Sequence, residues 1–149
     1  MPTASITKKI PCSKKNLIKV VLDIEKYPEF VPWCLSGKIH AKIDKGDTVE
    51  ITADLTIGKS FFSETYKSFI IYDKSDDSIK VINVEGPLKH LENKWTFRQT
   101  GDSSEVDFHV DFELKNKILN ILMIKTFDLS LKKIADAFEK RANELFNKT

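Results

Sequence analysis

Two stretches of the chain have clear hydrophobic periods, one with the two-residue period of a strand and one with the period of a helix. Across residues 48–57, polar and apolar residues alternate without a break, as in a strand with one buried face. From Lys117 to Phe146 there is no proline or glycine, and apolar residues recur three and four positions apart, at Ile124, Phe127, Leu131, Ile134, Ala135, Phe138, Ala142 and Leu145. The pattern therefore predicts strands followed by one long helix.

Turn residues and alternation divide the rest of the chain. A first strand is predicted at residues 3–10, and Ser13 is a good N-cap for a helix at 14–24. Further strands are predicted at 35–43, 48–57, 61–72, 79–85, 92–99 and 106–114, and Asn116 is expected to cap the last helix. On the strand at 35–43, the residues predicted to point inward are Leu35, Ile39, Ala41 and Ile43.

Short turns between consecutive strands favour antiparallel pairing. At ~1.5 Å per residue the last helix is about 45 Å long, so its apolar stripe needs a large cover. A curved antiparallel sheet of about seven strands wrapped around this helix satisfies both demands and gives an α+β fold. Without an internal repeat, linker or low-complexity segment, residues 1–149 are predicted to form a single domain. A wedge left between sheet and helix would be an apolar cavity.

Composition narrows the class of partner. Hydrophobic residues make up 41% of the chain, charged residues 31%, and the net charge is +2. Of the 24 basic residues only Arg98 and Arg141 are arginine. Because arginine binds phosphates and bases better than lysine does, this composition argues against nucleic-acid binding, and DNA is not an expected partner. The two cysteines, Cys12 and Cys34, form no CxxC motif, so neither a disulfide framework nor a cysteine metal site is expected. With no signal peptide or membrane span in the pattern, we expect a bacterial cytoplasmic protein.

The histidines carry no recognisable catalytic or metal-ligand spacing. His109 shares the polar side of the last strand with Asp107, Asp111 and Glu113, which permits a metal or acid–base site but favours a solvated sheet face. Without a nucleophile motif or phosphate-binding loop, we predict no enzymatic activity, no metal and no cofactor.

Residues 27–34, Tyr-Pro-Glu-Phe-Val-Pro-Trp-Cys, contain three aromatic residues and two prolines. The segment is too broken for a long helix and too apolar for a solvated loop. It either plugs one end of the core or forms a lid over an apolar pocket. Residues 86–91, Gly-Pro-Leu-Lys-His-Leu, form a second irregular apolar patch, followed by Trp95 and Phe97.

These two segments, together with residues 137–142, Ala-Phe-Glu-Lys-Arg-Ala, resemble the coenzyme Q-binding START-domain family in the same order along nearly the whole chain. That family is also described as polyketide cyclase/dehydrase-like, and includes a ribosome-association toxin branch. The resemblance implies a helix-grip fold, similar to START and Bet v 1 proteins. It also implies that ubiquinone or a related polyprenyl lipid is carried without chemical turnover, in support of respiration. One departure is Leu88, where some members have phenylalanine.

By matching position, the resemblance places the pocket entrance and its facing rim. The implied ligand contacts are Tyr27, Pro28, Phe30, Val31, Pro32, Trp33, Pro87, Leu88, Leu91, Trp95, Ile124, Phe127 and Leu131. Its other branches imply a toxin that blocks ribosomal subunit association, or a polyketide cyclase. A cyclase would need an acid–base pair in the cavity, for which Glu64, Tyr66 and His90 are weak candidates.

The start of the last helix is apolar on nearly every side. Within residues 118–124 only Asn120 is polar, whereas an amphipathic helix needs a single apolar face. Either Phe30 and Trp33 bury this end, or it is a membrane-docking or partner surface, with Leu119, Leu122 and Met123 as the predicted contacts. Three lysines nearby suit lipid headgroups, so we favour docking at the periphery of the inner membrane.

Overall fold

The computed structural model describes the backbone of residues 3–59, 62–85 and 88–146. Within these ranges, the described side chains exclude positions 59, 62, 84, 85, 88, 89, 112, 114, 119, 120 and 122–130. In this part of the chain, no helix combines the length and hydropathy needed to cross a bilayer.

Seven strands and two α-helices follow the predicted order, with a short 3₁₀ helix after the first α-helix. Their bounds are β1 Thr3–Ile10, α1 Lys14–Leu22, the 3₁₀ helix Ile24–Glu29, β2 Cys34–Asp44, β3 Thr48–Lys59, β4 Phe62–Asp73, β5 Ser78–Glu85, β6 Leu88–Thr100, β7 Ser103–Leu114 and α2 Lys117–Phe146.

The strands form one antiparallel sheet in the order β1-β7-β6-β5-β4-β3-β2. Because β1 and β2 lie at opposite edges, α1 and the 3₁₀ helix carry the chain across one end of the sheet. The curved sheet and the C-terminal helix confirm the predicted α+β, helix-grip architecture.

Side-chain caps define where both α-helices begin, as predicted. The Asn16 N–H donates to Ser13 Oγ at 3.2 Å, and the Ile118 N–H donates to Asn116 Oδ1 at 3.0 Å. The end of α1 differs from the prediction, which continued it to Ile24. Asp23 leaves the helical region, with φ −84° and ψ 61°, so α1 ends at Leu22 and Ile24 begins the 3₁₀ helix.

The core joins the inner face of the sheet to α1 and to the second half of α2. From α2, Leu131, Ala135, Phe138 and Ala142 are all buried, which confirms this part of the predicted helix stripe. Leu145 was predicted on the same stripe but is 41% exposed, because it lies in the last turn, where α2 approaches its end.

The prediction of which β2 side chains point toward the core was wrong. Leu35 and Ile43 are 53% and 52% exposed, Ala41 is also exposed, and of the four predicted residues Ile39 alone packs against the core. The pairing of β2 with β3 shifts register twice, between Cys34 and Ser36 and between Ile39 and Ala41. Each such shift moves the following side chains to the other face, and bulges of this kind are common on edge strands.

The predicted irregular patch at residues 86–91 is also partly wrong, because β6 begins at Leu88. The departure from regularity is a register shift between Leu88 and His90 in the pairing with β7. Residues 86 and 87 lie outside the described residues.

Candidate functional site

A cavity of about 250 Å³ lies between the inner face of the sheet and α2. Most of its lining is apolar and comes from the sheet, with contributions from α1, the 3₁₀ helix and α2. The lining residues are Val21, Ile24, Tyr27, Val31, Pro32, Cys34, Leu55, Ile57, Tyr66, Ser68, Ile70, Ile79, Val81, Leu91, Asn93, Trp95, Phe108, Val110, Ile134 and Phe138. None of these described residues carries a charge at neutral pH.

Three aromatic rings build the wall between the 3₁₀ helix and α2. Phe138 meets Tyr27 and Phe30 edge to face, with ring centroids 5.5 and 5.2 Å apart. The Arg141 guanidinium lies 5.1 Å from the centroid of Phe30 and pairs with Glu29 at 3.1 Å. Residues 27–34 and 137–142, which carry the resemblance, therefore hold each other in place.

The loop after the 3₁₀ helix adopts an unusual backbone. Trp33 has φ +62°, a left-handed conformation that costs about 1–2 kcal/mol for a residue with a Cβ. Its carbonyl accepts the Gly58 N–H at 2.9 Å, and Lys133 Nζ lies 5.9 Å from its ring centroid. Contacts to β3 and α2 thus hold the strained turn beside the cavity.

On the sheet side, Trp95 forms the centre of an aromatic floor. Its ring stacks on Phe108 with centroids 3.9 Å apart and meets Phe138 at 5.1 Å. The floor links β6 and β7 to α2.

Burial keeps the ionisable side chains of the cavity neutral. Desolvation raises the pKa of Tyr27, with a smaller contribution from Tyr66, and the Tyr27 O–H donates to the Val21 carbonyl. Burial, with a smaller contribution from Cys34, also raises the pKa of Tyr66. The pKa of the Cys34 thiol is raised by burial, opposed in part by a hydrogen bond with the Ser36 backbone. The site is consequently uncharged at physiological pH.

Five of the predicted ligand contacts line the cavity: Tyr27, Val31, Pro32, Leu91 and Trp95. Four others do not. Pro28 is exposed on the outer side of the 3₁₀ helix, and Phe30 and Trp33 pack behind the lining. Leu131 is 4% exposed and belongs to the core rather than to the cavity lining.

Ligand contact stays a prediction at all of these positions, and the remaining predicted positions are not described. Pro87 lies outside the described residues, and the side chains of Leu88, Leu119, Leu122, Met123, Ile124 and Phe127 lie outside the described side chains.

Sequence reasoning missed most of the sheet's contribution, including its polar part. Ser68 and Asn93 both line the cavity, on β4 and β6. A signal for Ser68 exists in the sequence, since it stands between Tyr66 and Ile70 at inward-facing spacing. This signal is ambiguous, because β4 is apolar on both sides in places and the sequence does not show which side faces the core.

The residues considered for catalysis do not converge in the cavity. Tyr66 lines it, but Glu64 does not, and His90 lies on the other face of β6 with Nε2 3.4 Å from Asp111 Oδ2. His109 is exposed on the outer face of the sheet, with Nδ1 2.6 Å from Ser5 Oγ, as the solvated-face reading predicted. Within the described ranges, no three His, Cys, Asp or Glu side chains converge as metal ligands would.

An uncharged cavity gripped between a seven-stranded antiparallel sheet and a long C-terminal helix defines a START/Bet v 1-like protein. Residues 11–139 match the family model described as "Polyketide cyclase / dehydrase and lipid transport", and the chain belongs to that family. The solved structure of the 18 kDa protein CC1736 from Caulobacter crescentus has a TM-score of 0.81 and 30% identity, covering 99% of this chain and 100% of that one. A START superfamily protein from Mycobacterium smegmatis has the same fold, with a TM-score of 0.81, 21% identity and coverage of 96% and 98%.

Relatives of the chain include proteins named as toxins and proteins named as coenzyme Q-binding. One is "Ribosome association toxin RatA" of Rickettsia prowazekii, 32% identical over 93% of this chain and 94% of the relative. Another is "Coenzyme Q-binding protein COQ10, mitochondrial" of Dictyostelium discoideum, 29% identical over 97% of this chain and 70% of the relative. Both names occur among relatives that match this chain over most of its length.

Proposed function

We propose that the protein is a non-enzymatic carrier that binds ubiquinone or a related polyprenyl lipid in the cavity and supports respiratory electron transport. The observation that carries the proposal is the uncharged and largely apolar lining of the cavity. Such a lining favours a neutral lipophilic ligand, because apolar burial drives binding and an unpaired charge would be costly inside. The coenzyme Q-binding relative supports this choice of ligand class.

The cavity volume limits which part of the lipid is enclosed. Small-molecule sites commonly measure ~300–1,000 Å³, and this cavity, at about 250 Å³, is slightly smaller. It accommodates a ring-sized head group, so we expect a long isoprenoid tail to extend beyond the described cavity.

The lining also supports binding without turnover. General acid–base catalysis works best with a group whose pKa lies near the operating pH. Burial moves the pKa values of Tyr27 and Tyr66 upward, away from neutrality. A cyclase or dehydratase is accordingly our third choice.

Native mass spectrometry tests the carrier proposal. The protein is incubated with vesicles that contain a polyprenyl quinone, re-purified and weighed, and the bound molecule is extracted and identified. We expect stoichiometric quinone on the wild type and loss of most of it in Val81→Phe, because Val81 lines the cavity and a larger side chain fills it.

Ile82→Phe is the matched control. Ile82 is the next residue of β5, points to the opposite face and is 37% exposed, so the same substitution there should leave quinone content unchanged. A wild-type protein without quinone, or equal quinone content in all three proteins, would contradict the proposal.

Ribosome association is our second candidate, and the high coverage of the Rickettsia prowazekii relative favours it. Its contact surface would be the start of α2, where Ile118 and Ile121 are 73% and 55% exposed beside the exposed Lys115 and Lys117. Co-sedimentation with separated ribosomal subunits tests this candidate. We expect Ile118→Asp with Ile121→Asp to abolish binding, and Val81→Phe to retain it.

For the carrier, the same two isoleucines are the proposed contact with the membrane periphery. The double Asp variant should release the protein from quinone-containing vesicles while the cavity still binds soluble quinone. The ribosome-association names of bacterial relatives support a bacterial cytoplasmic location. Undiminished vesicle binding by the variant would contradict the proposed surface.

A further inference from the structure

We infer that the cavity contains a polar subsite, formed by Ser68 and Asn93, that binds a ring-shaped head group carrying oxygen atoms at opposite edges. The inference deepens the proposed function and rests on it. It assigns an orientation to the ligand, with the ring held inside against the sheet and the apolar tail directed out of the cavity.

Ser68 is the first observation. It is 1% exposed and lines the cavity, yet its Oγ has no hydrogen-bond partner among the described residues. Its neighbours in register are Ala53 on β3 and Asn83 on β5. An unpaired buried hydroxyl destabilises the folded state by about 1–3 kcal/mol, so its presence calls for a reason outside folding.

Asn93 is the second and independent observation. Its Oδ1 is buried and also lacks a partner in the part of the chain that the structure describes. The residues beside it in register are Val81 on β5 and Val110 on β7, both apolar and both in the lining. By contrast, the Asn83 amide oxygen accepts the Leu91 N–H at 2.9 Å, whereas no described group donates to the Asn93 amide oxygen.

The placement of the two groups indicates the shape of the ligand. Ser68 and Asn93 lie on β4 and β6, opposite Asn83 and Val81 of the intervening β5, so they are ~10 Å apart across the strands and ~7 Å apart along them. A single polar atom cannot bond to both. A ring with oxygen atoms at opposite edges has the right extent, because both side chains project from the same concave face.

The chemistry of the pair suits both oxidation states of a quinone ring. A serine hydroxyl donates and accepts, and an asparagine side chain offers an amide N–H and a carbonyl oxygen. The Ser68 hydroxyl can donate to a quinone carbonyl or accept from a hydroxyl of the reduced form. The Asn93 Oδ1 accepts from the reduced form, and rotation of the amide by half a turn presents its N–H to a carbonyl of the oxidised form. The neutral phenol of Tyr66, two residues before Ser68 on the same face, places a third O–H in the lining.

The test compares two probes on three variants of the full chain. The probes are a short-tailed ubiquinone and N-phenyl-1-naphthylamine, a neutral aromatic amine without oxygen atoms, both titrated by fluorescence. The variants are Ser68→Ala, Asn93→Leu and the control Ser104→Ala. Ser104 is a fully buried serine outside the cavity lining, whose Oγ donates to the Cys12 carbonyl at 2.6 Å.

We expect Ser68→Ala and Asn93→Leu each to weaken quinone binding by about tenfold, as for the loss of one hydrogen bond. Binding of the amine should be unchanged, and Ser104→Ala should bind both probes like the wild type. Ser68→Ala removes one oxygen atom that has no partner among the described residues, so the variant should fold at least as well as the wild type.

Two failures are distinguishable. If the wild type binds the amine but no quinone, the proposed function fails. If the wild type binds quinone and both cavity variants bind it equally well, the polar subsite is overturned while the carrier proposal stands.

Discussion

The two ends of the sheet's inner face differ in whether their buried polar atoms have hydrogen-bond partners. At the closed end, defined by Ile10, Cys12, Phe97 and Ser104, all four side chains are 5% exposed or less and Ser104 Oγ has a partner. At the cavity end, defined by Ser68 and Asn93, buried polar atoms lack partners in the described part of the chain. The closed end therefore stabilises the fold, whereas the cavity end keeps unpaired polar atoms to which a ligand could bond.

The aromatic cluster between the two ends should show the largest effect. Phe138 is 3% exposed and touches Tyr27, Phe30 and Trp95. Phe138→Ala should lower the free energy of unfolding by about 3–5 kcal/mol, measured by urea denaturation. Phe146→Ala on the same helix, at a position 38% exposed, should change it by less than ~0.5 kcal/mol. Equal losses would mean that the cluster does not join the two ends.

The wall of the cavity end depends on a glycine. A Cβ at Gly37 would overlap the Ile24 carbonyl, so Gly37→Ala must push the 3₁₀ helix away from β2. We expect a loss of about 1–3 kcal/mol in stability, together with weaker quinone binding. Ser36→Ala, at the exposed neighbouring position, serves as the control. Stability loss with unchanged quinone affinity would show that this wall does not shape the site.

Two of the buried serines, Ser68 and Ser104, allow a direct comparison of the two ends. Ser104→Ala leaves the Cys12 carbonyl without its partner and should lower stability by about 1–3 kcal/mol. Ser68→Ala removes an unpaired hydroxyl and should leave the thermal midpoint of the ligand-free protein unchanged or higher. Calorimetry of both variants decides this, and equal destabilisation would remove the distinction between the ends.

The smallest effect at neutral pH concerns Tyr66. Its folded-state pKa is raised by burial, so above its unfolded pKa of about 10 the unfolded state loses a proton that the folded state keeps. The unfolded state then binds fewer protons, and stability falls as pH rises, by up to ~1.4 kcal/mol per pH unit. Tyr66→Phe should reduce the slope of the stability curve above pH 10, to which Tyr27 also contributes, without changing its value at pH 7. An unchanged alkaline slope would show that Tyr66 is accessible to solvent.

Much of the fold could be predicted because local rules were sufficient for it. Ser13 and Asn116 cap the helices where their side chains predicted, and the alternation of β3 points Ile51 and Ala53 into the core. The facing of β2 could not be read in this way, because its two register shifts arise from pairing with β3 rather than from its own pattern.

The site was only half predictable for a related reason. Tyr27, Val31 and Pro32 belong to one short segment whose composition is unusual on its own, so the sequence alone could point to them. Ser68 and Asn93 are ordinary residues that are 25 positions apart in the chain. Their significance appears only when β5 places them on one concave face.

The sequence by itself determined the order of the elements, the long C-terminal helix and the uncharged character of the sheet face that packs against this helix. Periodicity and capping act over a few residues, so these features can be predicted locally. The tertiary structure decided which side chains meet across the sheet, where the cavity remains open, and which buried oxygens lack partners. Those properties depend on the curvature and register of all seven strands together, and no single segment encodes them.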